Sequence, residues 1–324
     1  MPTPNVPPLA RGYQLQNYTI AKLLSAGGFS IVYLAHDEND YPVAIKEYLP
    51  NSLELRRENN ALVQATNENN SIMFKHGLKC FFEEGKTLAR IRHPNIVRVI
   101  NFFRANETVY MVMEYERGRT LQKEIQLKRD REGVSEKLIR HVFLQVLNGL
   151  REVHLHKLLH LDVKPANIYI RKDMTPLLLD FGSARQALTG EHSRLAPMYT
   201  PGFAAPEQYR RQEPLGPWTD IYGIGASMYA CIAGCSPPSA EQREKDPQPL
   251  NLHSLFGDRY SPELLDIIEY CLQLEHEKRP QSVHQLQKAL QEPASPPRKK
   301  GSVLHAIKRK WFGFTRMSNQ QQTE

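Results

Sequence analysis

The chain has 324 residues and a mass of 37.3 kDa, with 40% hydrophobic and 24% charged residues, which is typical of a folded globular protein with enough length for a sizeable core. It contains no apolar stretch near the roughly 20 residues that a membrane-spanning helix needs, and its first 14 residues, with four prolines and no apolar run, lack the pattern of a secretory signal. Four cysteines form no CxxC pair, so we expect reduced thiols in a cytosolic protein and no disulfide framework.

The net charge of +7 is confined to one end of the chain. Between Pro293 and Thr323 there is no acidic residue, and the basic residues are Arg298, Lys299, Lys300, Lys308, Arg309, Lys310 and Arg316. These seven account for the whole net charge, so the remainder is formally neutral. The basic pI therefore gives no reason to expect a nucleic-acid partner.

The first third of the chain is predicted to be rich in strands. Residues 1–17 are rich in proline and polar residues, and we expect a loose N-terminal arm. Residues 51–71 include six asparagines and are predicted to form an irregular insert. Phe74–Arg92 has apolar residues at three- and four-residue spacing, which predicts a helix that Pro94 stops. Strands are predicted at Tyr18–Leu24, Ile31–Ala35, Val43–Tyr48, Val97–Phe103 and Thr108–Glu114.

The chain after Gly118 is predicted to be mainly helical. Short strands are expected at Ile168–Ile170 and Leu177–Leu179. Helices are expected at Ser135–His154, Asp220–Cys235, Pro262–Gln273 and Ser282–Gln291. Five strands and a helix followed by a helical part predict an α+β, two-lobed architecture.

Two features of the first part could handle phosphate. The turn from Leu24 through Ser25, Ala26, Gly27, Gly28 and Phe29 to Ser30 has two glycines that would let backbone N–H groups approach phosphate oxygens, although a plain hairpin turn is the stronger interpretation of this segment alone. Lys46, in the apolar run Val43-Ala44-Ile45, would need a carboxylate and a phosphate as partners; an edge-strand lysine that deters aggregation is the alternative. Glu84 could supply that carboxylate, with Glu83 as a rival.

Polar side chains with complementary chemistry follow in the second part. The loop His160–Asn167 contains Asp162, Lys164 and Asn167, which could act as a base, a phosphate contact and a metal ligand. Asp180 follows an apolar strand and precedes Phe181-Gly182, which suits a Mg²⁺ ligand on a movable segment. Each feature could occur by chance, but their joint occurrence in this order indicates one phosphate-handling site.

Over residues 18–292 the chain resembles a bacterial eukaryotic-type (Hanks-type) Ser/Thr protein kinase. The matching motifs are the glycine turn, Val43-Ala44-Ile45-Lys46, the loop at Asp162, Asp180-Phe181-Gly182 and Ala205-Pro206-Glu207. The resemblance implies an N-lobe at residues 18–115 with a five-stranded antiparallel sheet and one helix, and a mainly helical C-lobe at residues 116–292. It also implies that Arg279 pairs with Glu207.

The resemblance further implies a role for each site residue, with ATP and Mg²⁺, or Mn²⁺ in its place, as cofactors. Asp162 would accept the proton of the substrate hydroxyl and Lys164 would steady the γ-phosphate. Asn167 and Asp180 would hold the metal ion. Lys46 would contact the α- and β-phosphates while paired with Glu84. Around adenine the implied residues are Val32, Ala44, the gatekeeper Met113, and the hinge residues Glu114, Tyr115 and Glu116.

The implied activity is transfer of the γ-phosphate of ATP to Ser or Thr of protein substrates, with autophosphorylation. The implied partners are a cognate phosphatase and an FHA-type phosphothreonine reader. Two alternatives stay open: a pseudokinase that acts as a scaffold, and a small-molecule phosphotransferase on the same fold.

Four residues depart from the family pattern. Ser25 and Ser30 replace glycines, which predicts a stiffer loop and weaker ATP binding. Leu161 stands where the family has an arginine that receives an activation-loop phosphate, so we expect control without that switch. Tyr169 stands where a smaller apolar residue below adenine is usual, and the sequence offers no explanation for it.

Residues 293–324 are predicted to be a proline linker and a basic tail. Val303, Ile307, Trp311 and Phe314 fall near one helical face, as in an amphipathic anchor for an anionic membrane surface or an acidic partner. The alternative is a disordered, soluble tail. The corresponding expectation for location is the cytoplasm, with peripheral attachment to the inner face of the membrane through the tail.

Overall fold

The computed structural model describes residues 6–53, 55–58, 61–128, 133–180, 200–210 and 212–292. Two separate apolar cores define an N-terminal and a C-terminal lobe. The N-lobe is built on an antiparallel sheet with the strand order β1-β2-β3-β4-β8-β7. Its strands are β1 (Gln14–Leu15), β2 (Tyr18–Ala26), β3 (Ser30–His36), β4 (Pro42–Tyr48), β7 (Val99–Ala105) and β8 (Thr108–Glu114). The five predicted strands are confirmed, and β1 adds a two-residue edge.

The segment between β4 and the long helix differs from the prediction. Instead of an irregular insert, β5 (Leu55–Glu58) and β6 (Leu62–Ala65) form an antiparallel hairpin. Helix α1 (Glu68–Leu88) begins before Phe74, because the side chain of Asn67 accepts a hydrogen bond from the backbone N–H of Asn70 at 2.8 Å and caps the helix there. It also ends before Arg92. The predicted limits of both segments were therefore wrong.

The sheet is covered on both faces. Because side chains alternate along a strand, β3 and β4 each present one set of residues to the front and another to the back. We call the back face the set Ile31, Tyr33, Ala35, Val43, Ile45, Glu47, Tyr110 and Val112, all of which are buried. Val6 and Leu9 pack into the same core, and the backbone N–H of Leu9 donates to the Tyr33 hydroxyl at 3.0 Å. The expectation of a loose arm is wrong for residues 6–15.

A buried ion pair joins the hairpin and the N-terminal segment to this back face. Arg57 of β5 places Nη2 3.0 and 2.9 Å from the two carboxylate oxygens of Glu47, and its Nε donates to the carbonyl of Pro7 at 2.8 Å. The hydroxyls of Tyr33 and Tyr110 each donate to Glu47 at 2.7 Å. Burial alone would lower the pKa of Arg57, but the Glu47 carboxylate outweighs it and raises that pKa. The pair is therefore charged and fully hydrogen bonded.

The C-lobe core lies between α3 (Glu136–Leu155), α5 (Pro217–Ala233) and α8 (Pro262–Cys271). Its remaining described helices are α2 (Leu121–Lys128), α4 (Pro206–Tyr209), α6 (Ala240–Lys245), α7 (Leu252–Phe256) and α9 (Val283–Gln291). A small sheet with the order β11-β10-β9 contains β9 (Gly118–Thr120), β10 (Ile168–Arg171) and β11 (Pro176–Leu178). The predicted helices and short strands of this lobe are confirmed, with small shifts at their ends. Within the described ranges, no helix is both long enough and apolar enough to cross a bilayer.

Candidate active site

The front face of the N-lobe sheet presents the predicted adenine-site residues together. Lys46 lies directly opposite Val32 of β3, and Ala44 lies opposite Met113 of β8. Since directly paired residues and residues two apart share a face, all four side chains lie on the side opposite the back face. Val32 and Ala44 are partly exposed, while Met113 and Lys46 are buried. This arrangement fits an apolar surface with one ammonium beside it.

The predicted glycine turn is a tight hairpin turn that is hydrogen bonded to Asn51. Gly27 donates its backbone N–H to the carbonyl of Ser30 at 2.9 Å, and Asn51 binds the carbonyls of Gly27 and Gly28 through its side chain (3.0 Å) and its backbone N–H (2.8 Å). Leu24, Ser25 and Ala26 end β2, Phe29 completes the turn and Ser30 opens β3. Neither Ser25 nor Ser30 has a positive φ, so neither position requires glycine. The contribution of Asn51 was not foreseen.

Lys46 forms an ion pair across the cleft. Its Nζ lies 3.0 Å from Oδ1 of Asp180 and 5.3 Å from the centroid of the Phe81 ring. Glu84 is buried on α1, whereas Glu83 is exposed and lies 3.7 Å from Lys86 on the helix surface. Burial therefore favours Glu84 over its rival. The direct pairing of Lys46 with Glu84 stays a prediction.

Asp162, the predicted base, lies among polar partners in a buried loop. Lys164 places Nζ 3.0 Å from Oδ2 of Asp162 and donates to the Thr200 hydroxyl at 2.9 Å. The Thr200 hydroxyl donates in turn to the other carboxylate oxygen of Asp162 at 3.4 Å. The carboxylate is thus flanked by a cation and by a hydroxyl.

Asn167 contacts both Asp162 and Asp180, and its amide nitrogen lies 3.4 Å from the backbone carbonyl of Asp180. The amide nitrogen of Asn167 donates to Oδ2 and to the carbonyl of Asp162, each at 2.9 Å, so its amide oxygen is the atom suited to a metal ion. Carboxylate and amide oxygens are the donors that a hard divalent cation prefers. Among the described residues there is no group of three or more His, Cys, Asp and Glu side chains that could hold a metal ion.

Asp220, at the start of α5, holds the backbone that leads into Asp162. Its Oδ2 accepts the backbone N–H of His160 at 2.9 Å, and its Oδ1 accepts that of Leu161 at 2.7 Å. The Nε2 atom of His154 lies 2.8 Å from the same carboxylate. This buried carboxylate anchors the loop without touching the cleft.

His160 is buried and neutral. Its Nε2 lies 2.9 Å from the carbonyl of Leu179, which can only accept, so Nε2 carries the proton and Nδ1 accepts the backbone N–H of Asp162 at 3.3 Å. Burial lowers the pKa of His160 against the opposing effect of Asp220 and Asp162. The ring therefore couples the Asp162 backbone to the strand end at Leu179.

Two residues of β10, Tyr169 and Arg171, bind the hinge at Glu116. The hydroxyl of Tyr169 donates to the carbonyl of Glu116 at 3.3 Å, and burial raises the pKa of Tyr169, so the hydroxyl keeps its proton. Arg171 places Nε 2.9 Å from the Glu116 carboxylate, as an ion pair without hydrogen-bond alignment, and donates from Nη1 to the Pro94 carbonyl at 2.8 Å. Tyr169, unexplained by the sequence, thus ties the C-lobe to the hinge. The hydroxyl group of Tyr169 was the feature of the sequence that could have indicated this contact.

Of the other predicted hinge residues, Glu114 is exposed and pairs with Arg98 at 3.0 Å, and Tyr115 is partly buried.

The predicted pairing of Glu207 with Arg279 is confirmed. Two guanidinium nitrogens of Arg279 donate to the two carboxylate oxygens of Glu207, at 2.7 and 3.0 Å, and both side chains are buried. The hydroxyl of Thr219 adds a bond to Glu207 at 2.9 Å. This contact fixes the end of the segment that begins at Asp180. Phe181, Gly182 and the tail lie outside the described residues.

Comparison with known proteins agrees with this geometry. Residues 18–293 match the family described as "Protein kinase domain". Serine/threonine-protein kinase Nek5 of Mus musculus is 32% identical over 219 residues, which are 66% of this chain and 30% of that protein. Probable serine/threonine-protein kinase zyg-1 of Caenorhabditis briggsae is 27% identical over 273 residues, 83% of this chain and 33% of that protein. The chain thus spans about a third of the length of these curated relatives.

Solved structures show the same fold. The structure named "PpkA-294 apo form" is 34% identical, covers 88% of this chain with 99% of its own, and superposes with a TM-score of 0.79. The Mycobacterium tuberculosis PknI kinase domain is 21% identical, with coverages of 87% and 98% and a TM-score of 0.65, and supports the fold alone. The chain belongs to the protein kinase family, whose members generally use ATP and a divalent metal ion.

Proposed function

We propose that this chain is an active protein Ser/Thr kinase that transfers the γ-phosphoryl group of Mg·ATP to hydroxyls of protein substrates and of its own chain. The observation that carries the proposal is the joint placement of Asp162, Lys164, Asn167 and the Lys46–Asp180 ion pair around one cleft. A family match alone would leave activity open, whereas this set provides a base and two cations. Curated relatives named serine/threonine-protein kinases support the same activity.

In the proposed reaction the substrate hydroxyl oxygen forms a bond to the γ-phosphorus, and the bond from that phosphorus to the bridging oxygen of ADP breaks. Asp162 accepts the hydroxyl proton, and ADP leaves with the electron pair of the broken bond. Lys164, 3.0 Å from Asp162, is placed to neutralise the phosphoryl group in transfer. Catalysis of this kind depends mainly on positioning and charge stabilisation.

The donor set supports Mg²⁺, with Mn²⁺ as a substitute. Asp180 and the amide oxygen of Asn167 would hold the ion, which would neutralise charge on the phosphates when bound. Lys46, already paired with Asp180, is placed to hold phosphate oxygens beside it. Asp180→Ala should therefore abolish transfer at ordinary Mg²⁺ concentrations, and substantial residual transfer would remove Asp180 from this role.

The direct test is incubation of purified protein with labelled ATP, Mg²⁺ and casein, for the wild type and Asp162→Asn. We expect the wild type to label casein and itself. The variant should lose transfer by at least about a hundredfold, as expected for loss of a general base, while its ATP affinity changes little. ATP binding without transfer in the wild type would instead support a pseudokinase, and labelling of small alcohols alone would support a small-molecule phosphotransferase.

The two serines that replace glycines give no support to the pseudokinase alternative. Ser25 and Ser30 are accommodated in strands without positive φ, and the turn between them is closed by the hydrogen bond from the Gly27 N–H to the Ser30 carbonyl. The buried Glu207–Arg279 pair, which anchors the Ala205-Pro206-Glu207 motif, favours a protein substrate over a small molecule.

The partners and location that we propose rest on sequence and family alone. They are a cognate phosphatase, an FHA-type phosphothreonine reader and a cytoplasmic location. The seven basic residues of residues 293–324, and the apolar face that a helix there is predicted to have, support attachment to an anionic membrane surface. If full-length protein sediments with phosphatidylglycerol vesicles no better than a chain ending at residue 292, even at low salt, the membrane attachment is wrong.

A further inference from the structure

Each backbone N–H and C=O group of Leu161 and Asp162 forms a hydrogen bond with a side chain. Asp220 accepts the N–H of Leu161 at 2.7 Å, and Gln208 donates to the carbonyl of Leu161 at 2.9 Å. His160 accepts the N–H of Asp162 at 3.3 Å, and Asn167 donates to its carbonyl at 2.9 Å. Of these side chains, Gln208 alone comes from the segment 200–210.

Gln208 is oriented by both of its partners. It occupies the third position of α4, is 8% exposed, and its Oε1 accepts the backbone N–H of Ala205 at 3.0 Å. This is one half of a capping box, in which the third helical residue satisfies the N–H of the capping residue. Because the Ala205 N–H can only donate and the Leu161 carbonyl can only accept, only one orientation of the amide serves both.

Leu161 needs such support more than an ordinary residue. Its φ is +62°, in the left-handed region that L-residues with bulky side chains disfavour. This conformation turns the Leu161 carbonyl to Gln208 while its N–H faces Asp220. The family arginine is absent at this position, so a phosphate cannot provide the connection through it.

Hydrogen bonds form a closed circuit between Asp162 and the turn at Thr200–Ala205. The hydroxyl of Thr200 contacts Asp162, and the carbonyl of Thr200 accepts the N–H groups of Phe203 and Ala204 at 3.0 and 3.3 Å. From Ala205 the circuit returns through Gln208 to Leu161 and so to Asp162. The base and the turn at Thr200–Ala205 are therefore joined without any group outside residues 160–162 and 200–208.

We infer that Gln208 is a positioning residue for phosphoryl transfer, which couples the Thr200–Ala205 turn to Asp162 through the Leu161 peptide and needs no phosphorylated residue to do so. It does not touch ATP or the acceptor. Its loss lowers kcat and raises the KM for the protein acceptor, while the KM for ATP, set by the N-lobe face and the hinge, is unchanged. This inference rests on the proposed kinase activity.

The test compares Gln208→Glu and Gln208→Leu with the wild type, each after phosphatase treatment, with casein as acceptor. The carboxylate of Gln208→Glu keeps the shape and the acceptor for Ala205 N–H but cannot donate to Leu161. We expect kcat to fall at least about tenfold in both variants, the cost of a buried carbonyl left without its donor. The KM for ATP should stay within about twofold of the wild-type value, as for a contact that acts only on the base.

Gln287→Glu is the matched control. Gln287 is equally buried, at 7% exposure, and its Nε2 donates to Asn148 at 2.7 Å on the far side of the C-lobe. The control should keep the wild-type kcat. Full activity of Gln208→Glu would overturn the inference, as would an equal fall in the Gln287 control. If Gln208→Leu does not fold, the isosteric Gln208→Glu decides the outcome alone. A wild type that binds ATP but labels neither casein nor itself would overturn the proposed function instead.

Discussion

Single side chains set the chemistry of this cleft, and Tyr169 is the one whose role was least apparent from the sequence. Its ring packs with the N-lobe core although β10 belongs to the C-lobe, and its hydroxyl binds the hinge carbonyl of Glu116 at 3.3 Å. A hinge held in this way presents its remaining backbone groups in a fixed orientation. We therefore expect Tyr169 to contribute to ATP binding without supplying charge.

Tyr169→Phe keeps the ring and removes this bond. We expect the dissociation constant for ATP to rise about two- to fivefold, equivalent to roughly 0.4–1 kcal/mol and within the range of one neutral hydrogen bond. The kcat should not change, because the phosphates and Asp162 are untouched. Fluorescent-nucleotide titration measures the effect, with Tyr270→Phe on the C-lobe surface as control. Identical affinities for Tyr169→Phe and the wild type would show that the bond to Glu116 does not organise the hinge.

His160 predicts a pH dependence of stability. Burial lowers its pKa in the folded chain, so below the ordinary value of about 6.5 the unfolded chain takes up a proton that the folded chain refuses. The contribution of His160 is therefore complete above that pH and is lost as the pH falls towards the folded-state pKa. Protonation would also remove the acceptor for the Asp162 N–H.

We expect the free energy of unfolding to fall between pH 6.5 and 5 more steeply in the wild type than in His160→Gln, by up to about 1.4 kcal/mol per pH unit for one proton. Urea unfolding at a series of pH values measures both slopes. His93, whose pKa is also lowered by burial, contributes equally to both proteins and cancels in the comparison. Parallel slopes would mean that His160 does not titrate in this range.

At the scale of elements, the N-lobe sheet is stabilised by a polar cluster inside an apolar face. Arg57 of the β5–β6 hairpin donates both to the carbonyl of Pro7 and to the carboxylate of Glu47, which neighbours Lys46 on β4. A buried ion pair is often no more stabilising than well-packed apolar residues of the same volume, but removal of one partner leaves an uncompensated buried charge. The hairpin and the N-terminal segment are therefore coupled to the strand that carries Lys46.

Arg57→Ala should lower the free energy of unfolding by about 3–5 kcal/mol, since the Glu47 carboxylate would stay buried without its cation. Urea unfolding, monitored by far-ultraviolet circular dichroism, measures the loss in the free energy of unfolding. Arg98→Ala, which removes the exposed pair with Glu114, should cost no more than about 1 kcal/mol. Equal losses in the two variants would show that burial does not strengthen the dependence on Arg57.

Most elements were predictable because their periodicity is local. The alternation of β3 and the apolar spacing of α3 each depend on a few neighbouring residues, and the order of motifs placed Asp162, Asn167 and Asp180 in one site. The β5–β6 hairpin was not predictable, because its apolar residues are few and its key residue, Arg57, finds its partner only in the tertiary structure. For the same reason the sequence did not reveal the hydrogen bond of Asn51 to the glycine turn or that of Gln208 to the Leu161 carbonyl.

At the scale of the whole molecule, the contacts around Thr200 bear on regulation. Its hydroxyl already binds Lys164 and Asp162, so a phosphate there would place negative charge beside the proposed base. Leu161 offers no cation to a phosphate elsewhere on the segment. Both observations favour a kinase that is competent without phosphorylation of this segment.

We therefore expect phosphatase treatment to change the specific activity of full-length protein less than about threefold, which is smaller than the loss of one charge-assisted contact of roughly 1.5 kcal/mol or more would produce. Casein phosphorylation before and after treatment measures it, with mass spectrometry to verify that phosphate was removed. A tenfold fall would require another basic residue to receive the phosphate, for which Arg185, outside the described residues, is the candidate.

Because Val6 and Leu9 pack into the N-lobe core, the folding unit begins before residue 18, where the family match begins. A recombinant fragment beginning at residue 18, where the family match starts, would lack Val6 and Leu9 and would leave the Tyr33 hydroxyl and the Nε of Arg57 without their backbone partners. Such a fragment would expose an apolar surface around a charged pair and would be prone to aggregate during expression. Crystallisation and inhibitor screening should therefore use protein that retains the residues from Val6 onwards.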